Sequence, residues 1–301
     1  MPDIYDQLRE RLDMFPQGFP RTESGVEIEI LRELFSPDEA QIMLFLGPSP
    51  EPVSAVAGKM GRDEEELGKQ LYDMSRRGLI LRFRVSDEEA LYFLAPWVVG
   101  IWEFQVKNLT DENIRLYEKY HEEAMVPEKA KTKTAGFRVI PVEQEVENHP
   151  EVETYERVSE IIESSSKFAV ADCICRKERN LVGEGCDKPL ETCLVFGGGA
   201  GFYERYGMGR RISVDEALAV LDTADRAGLV LQPNNAQEAI NICCCCGDCC
   251  GVLRNVKRYP RPAEVISTPF LAQVDVDLCA GCGVCETRCQ MEAIVLEDGV
   301  C

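Results

Sequence analysis

The sequence predicts an α+β, multidomain protein, and three observations carry that reading. Residues 25–95 give helical segments followed by two short alternating runs joined by a polar turn. Residues 168–250 alternate short apolar runs with a well-capped helix and hold most of the fifteen cysteines. Residues 279–289 carry four further cysteines at fixed spacing. The expected modules are residues 1–107, a cysteine-rich α/β region at 108–262, and a short C-terminal module at 263–301.

Length and composition bound the function. A chain of 301 residues suffices for two or three modules with cores of their own. No apolar run approaches the roughly 20 residues of a membrane helix, so no span is expected. The acidic start Met1-Pro2-Asp3-Ile4 lacks the apolar stretch of a secretory signal. Fifteen cysteines without an export signal point to metal or redox use in a reducing, cytoplasmic setting rather than to disulfides. The formal charge of −20 opposes unspecific nucleic-acid binding and suits docking on a basic partner surface. His121 and His149 lie in polar surroundings and are not expected as ligands.

The first module begins with a short amphipathic helix and a Pro/Gly linker at residues 15–20. Residues 25–46 read as helix in two pieces, with Ser36 as N-cap and Pro37 at the first helical position. Helices follow at 52–60 and 63–77, the second stopped by Gly78. Residues 79–85 and 90–94 read as a hairpin. This order resembles the winged-helix family over residues 25–95, which implies a DNA-reading helix. Here that helix opens Asp63-Glu64-Glu65-Glu66, and carboxylates at the groove end repel phosphates. A protein-docking or structural role is therefore expected, and DNA binding is disfavoured.

Residues 96–120 read as helix with Trp97, Trp102 and Phe104 as anchors, and 122–133 as a charged linker. A strand is expected at 137–142, a helix at 150–164, and a strand at 167–175 that would set Cys173 and Cys175 on one face. Cys186 and Cys193 complete C-x-C-x10-C-x6-C, enough for one four-ligand site, with Arg176 and Lys177 to offset thiolate charge. Gly197-Gly198-Gly199-Ala200-Gly201 reads as a Gly-rich turn. The dinucleotide fingerprint fails because Phe202 or Glu204 stands where its third glycine belongs, so neither flavin nor nucleotide is expected. Ser213 and Glu216 form a capping box for a helix ending at Gly228, and residues 229–231 read as a strand.

The run Cys243-Cys244-Cys245-Cys246-Gly247-Asp248-Cys249-Cys250 places six thiols in eight residues. Packing does not need that density, and adjacent cysteines rarely meet disulfide geometry. Soft thiolates select iron-sulfur clusters, zinc or Cu(I). The favoured ligands are Cys243, Cys246, Cys249 and Cys250, with Cys245 next and Cys244 last. Cys245-Cys246-Gly247 is similar to the CCG element of heterodisulfide-reductase-like subunits, although the flanking cysteine spacing departs from theirs.

At the C-terminus, Cys279, Cys282, Cys285 and Cys289 read C-x2-C-x2-C-x3-C. Residues 270–301 thereby resemble the first half of a bacterial-type [4Fe-4S] ferredoxin domain. The resemblance implies cubane ligation by these cysteines, and Met291-Glu292-Ala293-Ile294 matches the helical turn that follows the family's fourth cysteine. Gln290 replaces the usual proline, and the chain ends at Cys301, where the second half would begin; Cys301 is not expected to ligate. As a whole the chain resembles [4Fe-4S]-binding, oxidoreductase-associated proteins of anaerobes, which implies electron transfer.

The function expected is an iron-sulfur electron-transfer protein with two or more [4Fe-4S] clusters, passing single electrons to a redox partner protein as a component or subunit of an oxidoreductase. The alternatives are a redox-sensing winged-helix regulator and a reductase with a catalytic cluster at 243–250. No Ser-His-Asp, P-loop or HExxH pattern supports other catalysis.

Overall fold

The computed structural model describes residues 3–86, 89–125, 135–141, 157–236 and 238–300. They fall into two compact units, Met1–Thr132 with Arg205–Met208, and Lys133–Glu204 with Gly209–Cys301. Helices and two antiparallel sheets make a mixed α and β protein.

In the first unit, α1 (Ile4–Asp13), α2 (Val26–Leu34) and α3 (Pro37–Phe45) pack around Leu8, Leu12, Ile30, Leu31 and Met43, all fully buried. Apolar residues recur at helical spacing along α1 and α2, so each buries one stripe. Ser36 is the N-cap of α3, as its sequence predicts, and reciprocal hydrogen bonding with Glu39 completes a capping box. The strand β1 (Glu51–Pro52) leads into α4 (Val53–Met60) and α5 (Glu64–Arg76). The hairpin of β2 (Ile80–Arg84) and β3 (Ala90–Leu94) then closes a three-stranded sheet of order β1-β3-β2. The expected helix over 96–120 is interrupted. A short helical turn at Trp102–Phe104 ends at Gln105, and α6 (Asp111–Tyr120) starts afresh on a Thr110–Asn113 capping box. Sequence reading merged the two because their apolar anchors share a helical period. Phe19, Trp97 and Tyr120 stack together behind α6.

The second unit holds a five-stranded sheet of order β6-β4-β5-β8-β7, antiparallel throughout. Its strands are β4 (Phe168–Asp172), β5 (Glu191–Phe196), β6 (Gly209–Ile212), β7 (Val230–Pro233) and β8 (Asn241–Cys245). Around it run α7 (Val158–Glu163), α8 (Ile174–Leu181), α9 (Gly197–Arg205), α10 (Val214–Arg226), α11 (Gly251–Val256) and α12 (Val284–Arg288). One face of the sheet, with Phe168, Val170, Leu194, Phe196 and Ile242, packs on Ala217, Leu221 and Ala224 of α10. The Ser213–Glu216 capping box starts α10 where the sequence places it.

Three expectations are corrected here. The strand through Cys175 stops at Asp172: the register shifts after Ala171, Cys173 becomes the N-cap of α8, and Cys175 lies in that helix. The glycine run is helical, because Gly197 enters with a left-handed φ of 56° and Gly199 leaves room for Val195, whose Cγ1 would lie 2.9 Å from an added Cβ. Residues 137–140 make isolated bridges to Asn234, Ser267 and Leu231 instead of a strand. The cysteine run begins as the strand β8, a placement the sequence reading did not assign. Residue 142, residues 150–156 of the helix expected at 150–164, and residues 126–133 of the charged linker lie outside the described residues; the described part of that helix is α7. Among the described residues, no helix is long and apolar enough to cross a membrane.

Candidate metal centre

Antiparallel pairing gathers ten cysteines at one end of the five-stranded sheet. β4 runs toward that end and delivers Cys173 and Cys175 at the start of α8. β5 starts there, so Cys193 lies near its beginning. β8 arrives there with Cys243, Cys244 and Cys245, and the turn to α11 adds Cys246, Cys249 and Cys250. Strand alternation then sorts them by face. Cys244 packs with the apolar face beneath α10, together with Cys246 and Cys249 and beside Cys186. Cys243, Cys245 and Cys250 pack on the opposite face with Leu253 and Val230.

The first group is compact. Cys186 Sγ lies 3.7 Å from Cys246 Sγ and 3.6 Å from Cys249 Sγ. All three sulfurs lie within 4.8 Å of one another and could hold a metal ion, the one such group among the described residues. Cys246 and Cys249 are buried and Cys186 is partly exposed. Donation from Cys249 and the nearby Arg176 guanidinium pull the Cys246 thiol down to about 5. The Cys249 thiol is pushed up by giving that hydrogen bond, and burial raises Cys186.

The second group is a string of thiols rather than a knot. Cys193 stands directly opposite Cys243 across β5 and β8. Cys243 accepts hydrogen bonds from Cys193 and Cys245, and Cys250 accepts from Cys175 and Cys245. Cys175 also meets Cys173. Donation by their neighbours holds the Cys243 and Cys250 thiols well below the usual range, while Cys175 and Cys245, the donors, are raised. Amide groups also point at these sulfurs. Asn241 Nδ2 donates to Cys243 Sγ at 3.6 Å and Gln232 Nε2 to Cys250 Sγ at 3.8 Å, and the Leu253 and Val252 backbone N–H groups turn toward Cys250.

Arg176 lies fully buried between the two groups. Its Nη2 donates to the Cys244 carbonyl at 2.7 Å and its Nη1 to Thr192 Oγ1 at 3.0 Å and to the Pro189 carbonyl. Burial works to lower its pKa, but Cys173, Cys246 and Cys186 raise it by more, so it remains a cation. Lys177 pairs with Asp172 at 2.9 Å.

Cys279, Cys282, Cys285 and Cys289 lie in the C-terminal segment, outside the compact trio, with Cys282 exposed. The helical turn expected at 291–294 is absent; the short helix is α12, between Gly283 and Cys289. Gln290, which stands where the ferredoxin pattern has proline, is nine-tenths buried, and its Oε1 accepts the Gly247 N–H at 3.0 Å. Lys257 and Glu292 pair at 2.5 Å beside it, and Arg288 pairs with Asp225. Sequence reading missed this latch, and the substitution of Gln290 for proline was its only signal. It also missed the division of the cysteine run between two faces, which the alternation of residues 241–245 could have disclosed.

Comparison with known proteins adds no relative: no family model, curated protein or solved structure matches the chain.

Proposed function

We propose that the protein is an iron-sulfur electron-transfer protein, an oxidoreductase component in which clusters on the sheet-end thiols and on the C-terminal segment pass single electrons to a redox partner. The observation that carries this reading is the six-thiol string Cys173, Cys175, Cys250, Cys245, Cys243 and Cys193 with amide donors aimed at its acceptor sulfurs. Thiolates are the usual ligands of such clusters, and N–H···S bonds and burial are the means by which a protein sets cluster potential. The iron-sulfur group supplies one-electron chemistry when bound. The chain's own residues hold it, exclude water and neutralise its charge.

The C-terminal spacing supports a [4Fe-4S] site on Cys279, Cys282, Cys285 and Cys289, near enough to the surface to meet a partner. The Gln290–Gly247 hydrogen bond ties that segment to the turn that carries Cys246 and Cys249, which suits a relay. The winged-helix-like reading of the first unit rests on its order of helix, β1, two helices and hairpin, with β1 paired to β3. Exposed Glu64, Glu65 and Glu66 at the start of α5 favour protein docking over DNA. Iron and acid-labile sulfide measured on anaerobically purified protein, with electron paramagnetic resonance before and after reduction, test the proposal. Little iron and little sulfide would overturn it.

A further inference from the structure

Cys186, Cys246 and Cys249 differ from every other thiol among the described residues by their spacing. Two thiolates on one tetrahedral ion with bonds of about 2.3 Å stand ~3.8 Å apart. The sulfur separations of 3.6 and 3.7 Å match that edge. We propose that these three cysteines hold a single tetrahedral divalent ion, zinc by preference, whose fourth position is open to water or another small uncharged exogenous ligand. The proposal does not rest on the reading of the other thiols as iron-sulfur ligands.

Three features specify the open position. No fourth Cys, His, Asp or Glu donor joins the group among the described residues. Cys186 is partly exposed while Cys246 and Cys249 are buried, so the free apex is reached from the Cys186 side. The charge also closes at three thiolates. With a divalent ion they carry one net negative charge, and the buried Arg176 cation beside Cys246 and Cys186 neutralises it. A fourth thiolate would leave a buried charge without a partner, which is strongly unfavourable. Structural zinc sites are closed by four protein ligands, whereas sites with three and a solvent position are the ones that bind and polarise small molecules.

The test uses the full chain, purified anaerobically and assayed for iron on the same sample. Zinc is titrated against a chromophoric chelator, and zinc-edge X-ray absorption counts its ligands. One tightly bound zinc with three sulfur neighbours and one oxygen is the result expected. Cys186→Ala, checked for native circular dichroism, should weaken that zinc by at least about 100-fold, since even the loss of an outer-shell partner costs 10–100-fold. Met14→Ala, at an exposed side chain of the first unit, should leave it unchanged. Four sulfurs at zinc, no tight equivalent in the wild type, or equal zinc affinity in wild type and Cys186→Ala would each overturn the proposal. The absorption measurement needs no variant, so a failure of Cys186→Ala to fold does not shield it. Iron content read in parallel separates failure of this site from failure of the iron-sulfur reading.

Discussion

Cys193 and Cys243 face each other directly across the antiparallel pair of β5 and β8, and Cys193 donates a hydrogen bond to Cys243. That one register position fixes the remaining cysteines of β8. Cys245 must share the face of Cys243, and Cys244 must take the other.

The parity predicts different outcomes for neighbouring substitutions. Cys244→Ala removes a thiol from the apolar face beneath α10 and should leave iron content unchanged, at a stability cost of about 1 kcal/mol. Cys245→Ala removes a member of the six-thiol string and should lower bound iron. Iron analysis of both purified variants, with denaturant unfolding of the first, checks this.

Zinc uptake at the three-thiol group should be coupled to protons in a defined number. Metal binding needs deprotonated ligands. Cys246, drawn down to about 5, is already ionised at neutral pH, while Cys186 and Cys249, both raised, still carry their protons. Binding at pH 7 should therefore release about two protons, with affinity rising as pH rises and falling more steeply below about pH 5. Calorimetry in buffers of different ionisation enthalpy reads the number.

Gly247 admits no side chain. An added Cβ would lie 2.0 Å from the Gln290 carbonyl oxygen and 2.8 Å from Lys257 Nζ. Gly247→Ala should destabilise the second unit by about 1–3 kcal/mol through overpacking, with loosening of the C-terminal segment. Gly136→Ala, where nothing lies within 4 Å, is the matched control. Denaturant unfolding and limited proteolysis of the C-terminal segment measure the difference.

The first unit should not retard DNA. α5 begins with Asp63 as its N-cap and exposed Glu64, Glu65 and Glu66 in the first turn, on a chain of net charge −20. A gel-shift titration at low salt should show no shift. A salt-sensitive shift would revive the regulator reading.

Much of the local structure was legible because it is written in short-range chemistry. The Ser36 N-cap, the Ser213–Glu216 capping box and the 80–94 hairpin stand where their residues indicate. What escaped depends on tertiary context. The apolar run 168–171 gave no warning that the chain would turn into α8 at Cys173, and a glycine-dense helix such as α9 contradicts propensity and is held by packing on Val195. The cysteines announced metal chemistry by density alone. Alternation along 241–245 separates Cys244 from Cys243 and Cys245, but the placing of Cys193 opposite Cys243 depends on pairing partners 50 residues apart, which leave no local mark.

The most direct test of the central claim is iron and acid-labile sulfide per chain on anaerobically purified protein, with electron paramagnetic resonance before and after dithionite. The account predicts about eight irons with matching sulfide, and S = 1/2 signals that appear on reduction, as two [4Fe-4S] clusters require. Zinc with little iron or sulfide would contradict it and leave the thiols as structural metal ligands.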